Sequence, residues 1–545
     1  MTLAETTATL GIPRADRPED VGVSGKAIVN FLRDIEQSGN EFHSFMVIRH
    51  GKVAAECFRA PFGPQRPHQM YSVSKSVTSA AVGFALSEGL LSLETKVRDL
   101  FPDYTEGLVD ENLDQLTVHH LLSMSSGKNP SPLYNKSNGD WIEYYFRCPW
   151  YAKPGGFKYI NENIYMLSVI VKRVTGHSVR DYLQPRLFEP LGIDYPFWET
   201  DGNGIESGGW GLYLKTEDLA KFMLCYANNG VFNGKQVIPE EWVKLATGYH
   251  ADNSAGVELD TSAGYGYCFW HNGGCPGSYR ADGMFSQFGI VFPEQDAVFI
   301  STGAVAVEQV ARDLIWRHFP AAFLDENAEQ TEDTSVPNLK EILASSPVEM
   351  PEPSAHCQTE QLVDGKTIKL RKTIFLNLIG MPVSVLPLAV TYMATEKAGN
   401  IDDITLKFGE HECAFSWCEG AEKNTVVCGM DGHYRYGTMR LGSIDYTVCC
   451  NAEWQNNNEL MVYIRPIQAV AKRMLRFQFN ANGRVTVVPR STPKTLEITK
   501  FLVINISDIV NAKGAMKDIL GKIVLKTLPK IVEPTLHGKI AQQHH

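Results

Sequence analysis

The sequence lacks the features that mark secreted, membrane-spanning and nucleic-acid-binding proteins. Residues 1–14 hold no apolar stretch of about seven residues behind a positive start, so no signal peptide is expected. No run approaches about eighteen apolar residues, and the best candidate, residues 374–391, is interrupted by two prolines and a glycine. With 51 Lys and Arg against 62 Asp and Glu, the net charge is −11 and no basic stretch tracks phosphates. These absences predict a cytoplasmic protein with no membrane span and no nucleic-acid partner.

Cysteine is present, but without the spacing of a metal site. The chain has 11 cysteines, an odd number, with no C-x-x-C pair and no accompanying cluster of histidines. We therefore expect no metal and no cofactor. We also expect reduced cysteines that are mostly buried, as in a cytosolic protein.

The domain organisation follows from shifts in composition. A chain of 545 residues suggests two to four domains, and residues 325–353 are rich in Glu, Ser, Thr, Asn and Pro. We expect an N-terminal arm (1–20), a first domain (21–325), a linker (326–353) and a second domain (354–545).

The first domain begins and ends with strands. A hairpin is predicted over residues 42–58, and further strands over residues 265–270, 284–292 and 297–301, before a final helix at 308–319. Helical patterns fill the interval between the first and last strands. This order predicts a sheet packed on helices, with an inserted all-helical lobe.

The second domain is rich in strands and tight turns. Asp431-Gly432 and Asn482-Gly483 lie between strand-like segments, which is a strong hairpin signal. Repeated hairpins predict a small antiparallel β-barrel. Residues 513–530 form a basic amphipathic pattern, which indicates a helix packed on the barrel or, alternatively, a membrane-surface helix.

A serine three residues before a lysine opens an apolar helical pattern. The stretch is Tyr-Ser-Val-Ser-Lys-Ser at residues 71–76. Because positions i and i+3 share one helix face, Ser72 and Lys75 can meet, and a neutral amine can activate the hydroxyl. The alternative is a helix-cap serine with a solvated lysine. The same spacing recurs at residues 125–128 and 491–494, where no apolar helix follows.

A second polar pair precedes another helix. Tyr159 and Asn161 lie just before the apolar helix predicted at residues 164–174. Both side chains could project into one cleft. The alternative is a packed tyrosine and an asparagine, Asn161 or Asn163, that caps the helix.

The order of these motifs resembles the serine β-lactamase and penicillin-binding protein superfamily. Ser72-x-x-Lys75 is followed by Tyr159-x-Asn161 and by a glycine-containing strand near Gly283. The similarity is greatest to the class C branch, which includes esterases, D-aminopeptidases and aminohexanoate-dimer-hydrolase-like enzymes. It implies an α/β (α+β) β-lactamase-like sandwich with an antiparallel sheet and a helical lobe. The C-terminal barrel resembles the lipocalin-like domains that some members carry.

The resemblance also implies roles for these residues. Ser72 corresponds to the acylated nucleophile, and Lys75 and Tyr159 would share the general-base work. Asn161 would bond both Lys75 and the substrate amide. The backbone N–H of Ser72 and one on the edge strand would form the oxyanion hole.

The third motif departs from the family pattern. The strand should carry Lys-Thr-Gly or His-x-Gly, and the best alignment here is Ala281-Asp282-Gly283. This alignment makes Met284 the second oxyanion donor. Asp282, where a cation usually sits, is expected to repel a substrate carboxylate and to favour neutral or amine-bearing esters and amides. His271-Asn272-Gly273 is a competing candidate.

Three functions remain in view. The first is a serine hydrolase acting on a small ester or amide through a Ser-Lys-Tyr acyl-enzyme, such as a carboxylesterase or an aminohexanoate-oligomer-type amidase. The second is a D-amino-acid peptidase or peptide cyclase, and the third is a catalytically silent binding protein. The expected partner is a small molecule or short peptide, and homo-oligomer formation stays open.

Overall fold

A computed structural model describes residues 11–130, 139–324, 336–371, 401–441, 444–504 and 515–541. The chain divides into two compact units, Met1–Ser346 and Pro347–His545.

The first unit is built around a six-stranded antiparallel sheet with the order β2-β1-β10-β9-β8-β7. The remaining strands of this unit form two small two-stranded sheets, β3 with β4 and β5 with β6. The strands are β1 (Phe42–Arg49), β2 (Lys52–Phe58), β3 (His68–Gln69), β4 (Tyr213–Leu214), β5 (Val231–Phe232), β6 (Lys235–Gln236), β7 (Trp270–His271), β8 (Tyr279–Gly283), β9 (Gln287–Phe292) and β10 (Ala297–Gly303). The predicted hairpin at residues 42–58 is confirmed as β1 and β2. Its turn residues His50 and Gly51 have φ values of 51° and 70°, as a two-residue hairpin turn requires.

Helices cover the sheet and fill the interval between β2 and β7. The α-helices of the first unit are Gly25–Ser38, Val73–Ser87, Val97–Leu100, Pro102–Thr105, Glu111–Gln115, Val118–Leu122, Trp141–Arg147, Asn161–Thr175, Val179–Leu183, Glu189–Leu191, Thr216–Ala227, Glu240–Thr247, Glu308–His318 and Leu339–Ala344. The helices between β2 and β7 that do not pack on the sheet form the predicted helical lobe, whereas Thr216–Ala227 covers the sheet.

An aromatic core joins the sheet to its first helix. Phe31, on the helix Gly25–Ser38, has its ring centroid 5.3 Å from that of Phe45 and 5.6 Å from that of Phe299, both edge to face. The helix Glu308–His318 packs beside it. On the other side of the sheet the helix Thr216–Ala227 contacts β9 and β10. The sheet therefore lies between helical layers, and the predicted β-lactamase-like sandwich is confirmed.

Two strand boundaries differ from the prediction. Only Trp270 of the segment predicted at 265–270 lies in a strand, because Cys268 adopts φ 68° and its carbonyl accepts the Ser76 hydroxyl at 2.7 Å instead of a ladder bond. The strand predicted to begin at Met284 begins three residues later at Gln287, after a turn.

The second unit contains a ten-stranded sheet whose order is β14-β13-β12-β11-β20-β19-β18-β17-β16-β15. A parallel bridge joins Gly429 on β14, at one end of this order, to Asn451 on β16, the strand next to the other end, and closes the sheet. The predicted antiparallel barrel is confirmed. The lipocalin likeness stays a prediction. The strands are β11 (Thr367–Leu370), β12 (Ile401–Phe408), β13 (Glu412–Glu419), β14 (Glu422–Gly429), β15 (Arg435–Leu441), β16 (Ile444–Asn456), β17 (Glu459–Pro466), β18 (Lys472–Phe479), β19 (Arg484–Thr492) and β20 (Leu536–Ile540).

In the part of the second unit that the structure describes, the helices are Thr359–Val363, Thr495–Ile504 and Ala515–Val532, and the last two contact each other. The segment predicted as a linker includes the helix Leu339–Ala344. Its residues Leu339 and Leu343 are part of the hydrophobic core of the first unit.

The cysteines agree with the prediction of buried thiols. All 11 are free, and only Cys275, Cys357 and Cys418 are half-buried rather than buried. Among the residues that the structure describes, no helix combines the length and the apolar character needed to cross a membrane.

Candidate active site

Ser72 lies at a sharp corner between a strand and a helix. The short strand β3 pairs with β4, and three residues later the helix Val73–Ser87 begins with Ser72 as its N-cap. The residue before the serine, Tyr71, has φ 48°, a backbone conformation that costs free energy outside glycine and that is enriched at functional sites. Ser72 is half-buried, so its hydroxyl stays within reach of solvent.

Lys75 is buried and its ammonium nitrogen is held by three oxygen atoms. Lys75 is only 1% exposed to solvent. Nζ lies 3.0 Å from Ser72 Oγ, 2.7 Å from Asn161 Oδ1 and 2.6 Å from the Gly209 carbonyl oxygen. The alternative of a solvated lysine is therefore wrong. The Gly209 carbonyl is a partner that sequence reasoning missed.

The chemistry of these three partners determines how the hydrogens and the lone pair of the Lys75 amine are arranged. The Asn161 and Gly209 oxygens can only accept hydrogen bonds, so each must receive an N–H from Lys75. The Ser72 hydroxyl can both accept and donate. When the amine is neutral, its two hydrogens satisfy the first two oxygens and its lone pair is left for the serine proton. The site can thus move a proton from Ser72 Oγ to Lys75 Nζ.

Tyr159 completes the group around Ser72. Its hydroxyl is hydrogen-bonded to the Ser72 side chain, and Lys75 Nζ lies 4.9 Å from the centroid of its ring. Burial raises the pKa of Tyr159 well above its usual value, and the Ser72 hydrogen bond offsets only part of that rise. The phenol is therefore protonated at neutral pH and can serve as a proton donor.

Asn161 does not cap the helix that it opens. The helix Asn161–Thr175 has Ile160 as its N-cap, and this residue makes no side-chain capping hydrogen bond. Asn163 accepts a hydrogen bond from the Tyr145 hydroxyl at 3.0 Å inside the lobe. The capping alternative is therefore wrong, and the Asn161 amide is committed to Lys75.

Strand β8 lies against the segment that leads into Ser72. A methyl group built on Gly283 would lie 2.3 Å from the Met70 carbonyl oxygen, which shows how closely the two backbones approach. Just beyond it, the ring of Phe285 packs edge to face on Tyr71 with a centroid separation of 5.4 Å. In contrast, a methyl group built on Gly273, in the competing motif, would lie nearest to the Leu259 carbonyl oxygen, at 2.5 Å. The structure thus brings Gly283 and the turn after it to the segment that leads into Ser72.

Asp282 is paired with two buried arginines. Its Oδ2 lies 2.5 Å from Arg280 Nε and 3.4 Å from Arg312 Nη1, and both guanidinium groups are fully buried. Asp282 is therefore not an isolated charge, and the expected repulsion of a substrate carboxylate stays a prediction. Arg280 was within reach of sequence reasoning, because positions i and i+2 of a strand share one face.

A comparison with protein families decides the relationship that these residues suggest. The family model described as Beta-lactamase matches residues 36–312, half of the chain. The chain belongs to the β-lactamase family. It is a hydrolytic enzyme of that family.

Individual relatives are more distant. The chain is 26% identical over 323 residues to the 6-aminohexanoate-dimer hydrolase of Paenarthrobacter ureafaciens, covering 55% of this chain and 82% of the relative. Among solved structures, a penicillin-binding protein homologue from Caulobacter crescentus has 17% identity and a TM-score of 0.44, over 53% of this chain and 92% of that one. SurE with D-Leu has 16% identity and a TM-score of 0.46, over 87% of this chain and 97% of that one.

Sequence reasoning also missed an aromatic wall beside this β-lactamase-family site. The wall consists of Phe157, Tyr159, Tyr265 and Trp270. The ring centroid of Trp270 lies 5.3 Å from that of Tyr159, 5.9 Å from that of Phe157 and 4.8 Å from that of Tyr265. Phe157, Tyr159 and Trp270 are half-buried, so the wall offers an apolar surface next to Ser72.

Proposed function

We propose that the chain is a serine hydrolase that cleaves small esters or amides through an acyl-enzyme on Ser72. The observation that supports this most is the 3.0 Å contact between Ser72 Oγ and the buried Lys75 Nζ. A hydroxyl becomes a useful nucleophile only when a base takes its proton during attack. The contact with Ser72 supports Lys75 as that base, and the hydrogen bond between the Tyr159 and Ser72 hydroxyls supports a shared role for Tyr159.

The reaction would run in two halves. In acylation, Ser72 Oγ attacks the substrate carbonyl carbon while its proton passes to Lys75. The bond to the leaving alcohol or amine then breaks, and Tyr159 gives that group its proton. Lys75 returns the proton that restores the phenol. In deacylation, water attacks the ester on Ser72, and the same groups carry the protons in reverse.

Two backbone N–H groups would stabilise the negative charge on the carbonyl oxygen. One belongs to Ser72 at the beginning of its helix, where the helix dipole also favours negative charge. The other belongs to Met284, directly after Gly283. The close approach of Gly283 to Met70 supports this pairing, because it brings β8 to the nucleophile. Fixed donors of this kind lower the barrier most in a site that excludes water.

The substrate class follows from the surroundings of Ser72. The aromatic wall favours an apolar group beside the scissile bond. Asp282 and Gly283 would line the other side, where Asp282 favours neutral or amine-bearing esters and amides. The similarity to a 6-aminohexanoate-dimer hydrolase supports amides as well as esters. The acceptor is water in this proposal, and it would be an amine in the alternative of a peptide cyclase.

A covalent probe tests the proposal directly. Intact mass is measured after treatment with a fluorophosphonate on wild type, on Ser72→Ala and on the control Ser76→Ala. Ser76 lies one turn along the same helix and donates to the Cys268 carbonyl. One adduct on wild type and on the control, and none on Ser72→Ala, is the expected result. Labelling of all three proteins would show that another serine reacts, and labelling of none would support a silent binding protein.

p-Nitrophenyl esters of increasing acyl length then define the substrate. D- and L-aminoacyl p-nitroanilides are included, because preferential cleavage of the D series would favour the D-amino-acid peptidase instead.

A further inference from the structure

The turn between β8 and β9 has a backbone that its sequence does not favour. We call residues Met284–Ser286 the oxyanion turn. Phe285 and Ser286 have φ values of 67° and 72°, so two consecutive residues other than glycine adopt the left-handed region. Such a conformation persists only where the surrounding contacts hold it.

One side chain bonds both of the first two carbonyls of the oxyanion turn. Gln287 is fully buried. Its Nε2 lies 3.0 Å from the Met284 carbonyl oxygen, 3.1 Å from that of Phe285 and 2.9 Å from that of Gly303. Its Oε1 accepts the Gly303 N–H at 3.2 Å. The amide therefore fastens the turn to the end of β10.

These bonds fix Met284 from both sides. On one side, Gly283 is paired with Gln287 in the ladder between β8 and β9. On the other side, the Gln287 amide holds the carbonyl of Met284 itself. With both flanking peptide groups fixed, the direction of the Met284 N–H is fixed as well.

Other contacts secure the rest of the turn. The Phe285 N–H donates to Glu308 Oε1 at 3.1 Å, and the Ser301 hydroxyl donates to the Ser286 carbonyl at 2.9 Å. These bonds act on the second and third residues of the turn, whereas the Gln287 amide also reaches the first. Loss of the Gln287 side chain would therefore release the carbonyl of Met284.

We propose that Gln287 is a positioning residue that aims the Met284 N–H at the carbonyl oxygen of the substrate. This rests on the proposed roles of Ser72 and Met284. The position requires a side chain that donates to several carbonyls and accepts one N–H, and a primary amide does both. A carboxylate only accepts, and a thioether does neither well.

Gln287→Met tests the proposal at nearly constant volume. We expect kcat/KM for p-nitrophenyl acetate to fall about 10²–10³-fold, the effect of losing one oxyanion donor, with KM nearly unchanged. The Ki of an arylboronic acid, which forms a tetrahedral adduct with the serine, should rise by the same factor. Gln236→Met is the matched control, because Gln236 also donates to two carbonyls, those of Asn229 and Ile238, in the separate hairpin of β5 and β6. The control should leave kcat/KM unchanged.

A double substitution separates positioning from a merely structural role. Met284→Pro removes the N–H that Gln287 is proposed to aim. In that background Gln287→Met should have no further effect on kcat/KM. If the two losses multiply instead, Gln287 does not act through Met284 and the proposal is overturned.

A second variant covers the case in which Gln287→Met does not fold. Gln287→Glu keeps the shape and loses the donors, and its activity relative to wild type should recover as pH falls and the carboxyl regains a proton. A pH-independent ratio would contradict the proposal. Fluorophosphonate labelling of wild type distinguishes failure of the proposed hydrolase function from failure of the proposed role of Gln287. Without labelling, the proposed hydrolase itself fails, whereas labelled wild type with a fully active Gln287→Met overturns only the role of Gln287.

Discussion

The side-chain oxygen of Asn161 lies 2.7 Å from Nζ of Lys75, although the two residues are 86 positions apart and belong to different helices. This contact and the one with the Gly209 carbonyl, on a third segment, hold Nζ of Lys75 at 3.0 Å from Ser72 Oγ. We derive predictions from this geometry and from three further groups, Tyr159, Gly283 and Glu199.

Replacement of Lys75 by methionine should abolish the activation of Ser72 while leaving the helix in place. The variant keeps an unbranched side chain but has no base, so we expect kcat/KM for a p-nitrophenyl ester to fall about 10³–10⁴-fold. The rate of fluorophosphonate labelling should fall in parallel. Lys221→Met is the control, because Lys221 is also buried and donates to the Gly192 carbonyl at 3.0 Å. An equal loss in the control would mean that the effect comes from destabilisation of the first unit.

Removal of the Tyr159 hydroxyl should lower kcat without disturbing the aromatic wall. In Tyr159→Phe the ring can still stack on Trp270 and face Lys75, but the leaving group loses its proton donor. We expect kcat to fall by about 10²-fold and KM to change little. The deficit should shrink for esters whose leaving groups need no proton, such as p-nitrophenolate. Tyr182→Phe, which removes a hydroxyl bonded to Glu88 at 2.9 Å, should retain full activity. A uniform deficit for good and poor leaving groups would argue against the acid role.

An added methyl group at Gly283 should separate β8 from the nucleophile. In Gly283→Ala the new Cβ would lie 2.3 Å from the Met70 carbonyl oxygen, so one of the two backbones must move. We expect a lower Tm and a loss of activity of at least about 10²-fold, since a displaced strand also misplaces Met284. Gly437→Ala serves as the control, because Gly437 also lies in a strand and has no atom within 4 Å of the added Cβ. Retained activity in Gly283→Ala would contradict the predicted alignment of the third motif.

Glu199 should make the first unit less stable as pH rises. Burial raises the pKa of its carboxyl from 4.5 to about 8, against the lowering effect of hydrogen bonds from Tyr213 and Gln69. The unfolded chain releases this proton near pH 4.5, whereas the folded chain keeps it until about pH 8. Stability is therefore lost as pH rises through that window, and the loss is complete above the folded pKa.

Glu199→Gln tests this linkage by removing the titration. The difference in Tm between the variant and wild type should shift in favour of the variant between pH 5 and pH 9. The amide brings a pH-independent offset of its own, so only the change with pH is informative. The same substitution at the exposed Glu106 should give a difference that is flat with pH. A flat difference for Glu199→Gln would show that the carboxyl is already ionised when buried.

The sequence predicted the side chains of the site better than its backbone partners. Helical spacing allows Ser72 and Lys75 to meet, but it is the order of this pair with Tyr159 and Asn161, through the family resemblance, that predicts all four residues as the site. The Gly209 carbonyl was missed, since a backbone oxygen has no signature in sequence. Gly209 itself can be read in the sequence, and the reason for a glycine at this position is steric. A Cβ at this position would lie 3.2 Å from the Asn161 carbonyl oxygen and 3.5 Å from Lys75 Nζ.

Long-range contacts account for the elements that local patterns predicted wrongly. The aromatic pattern at residues 265–270 is typical of a strand, yet the hydroxyls of Ser76 and Ser79 bind the Cys268 and Tyr267 carbonyls that a strand would use in its ladder. The partners of Asp282 were not predicted for a related reason. Arg312 reaches it from a helix 30 residues further on, and no local pattern predicts that approach.

The position of β20 in the barrel determines when the sheet of the second unit can be completed during synthesis. This strand, Leu536–Ile540, lies between β11 and β19, so β11 has no neighbour on that side until β20 has been synthesised. At about 5–20 residues per second, a ribosome needs on the order of ten to thirty seconds to get from β11 to β20. For that time β11 exposes an unpaired edge, which is a template for pairing with other chains. The second unit can therefore complete its sheet only after β20 has been synthesised, and growing chains on one messenger would be exposed to one another until then.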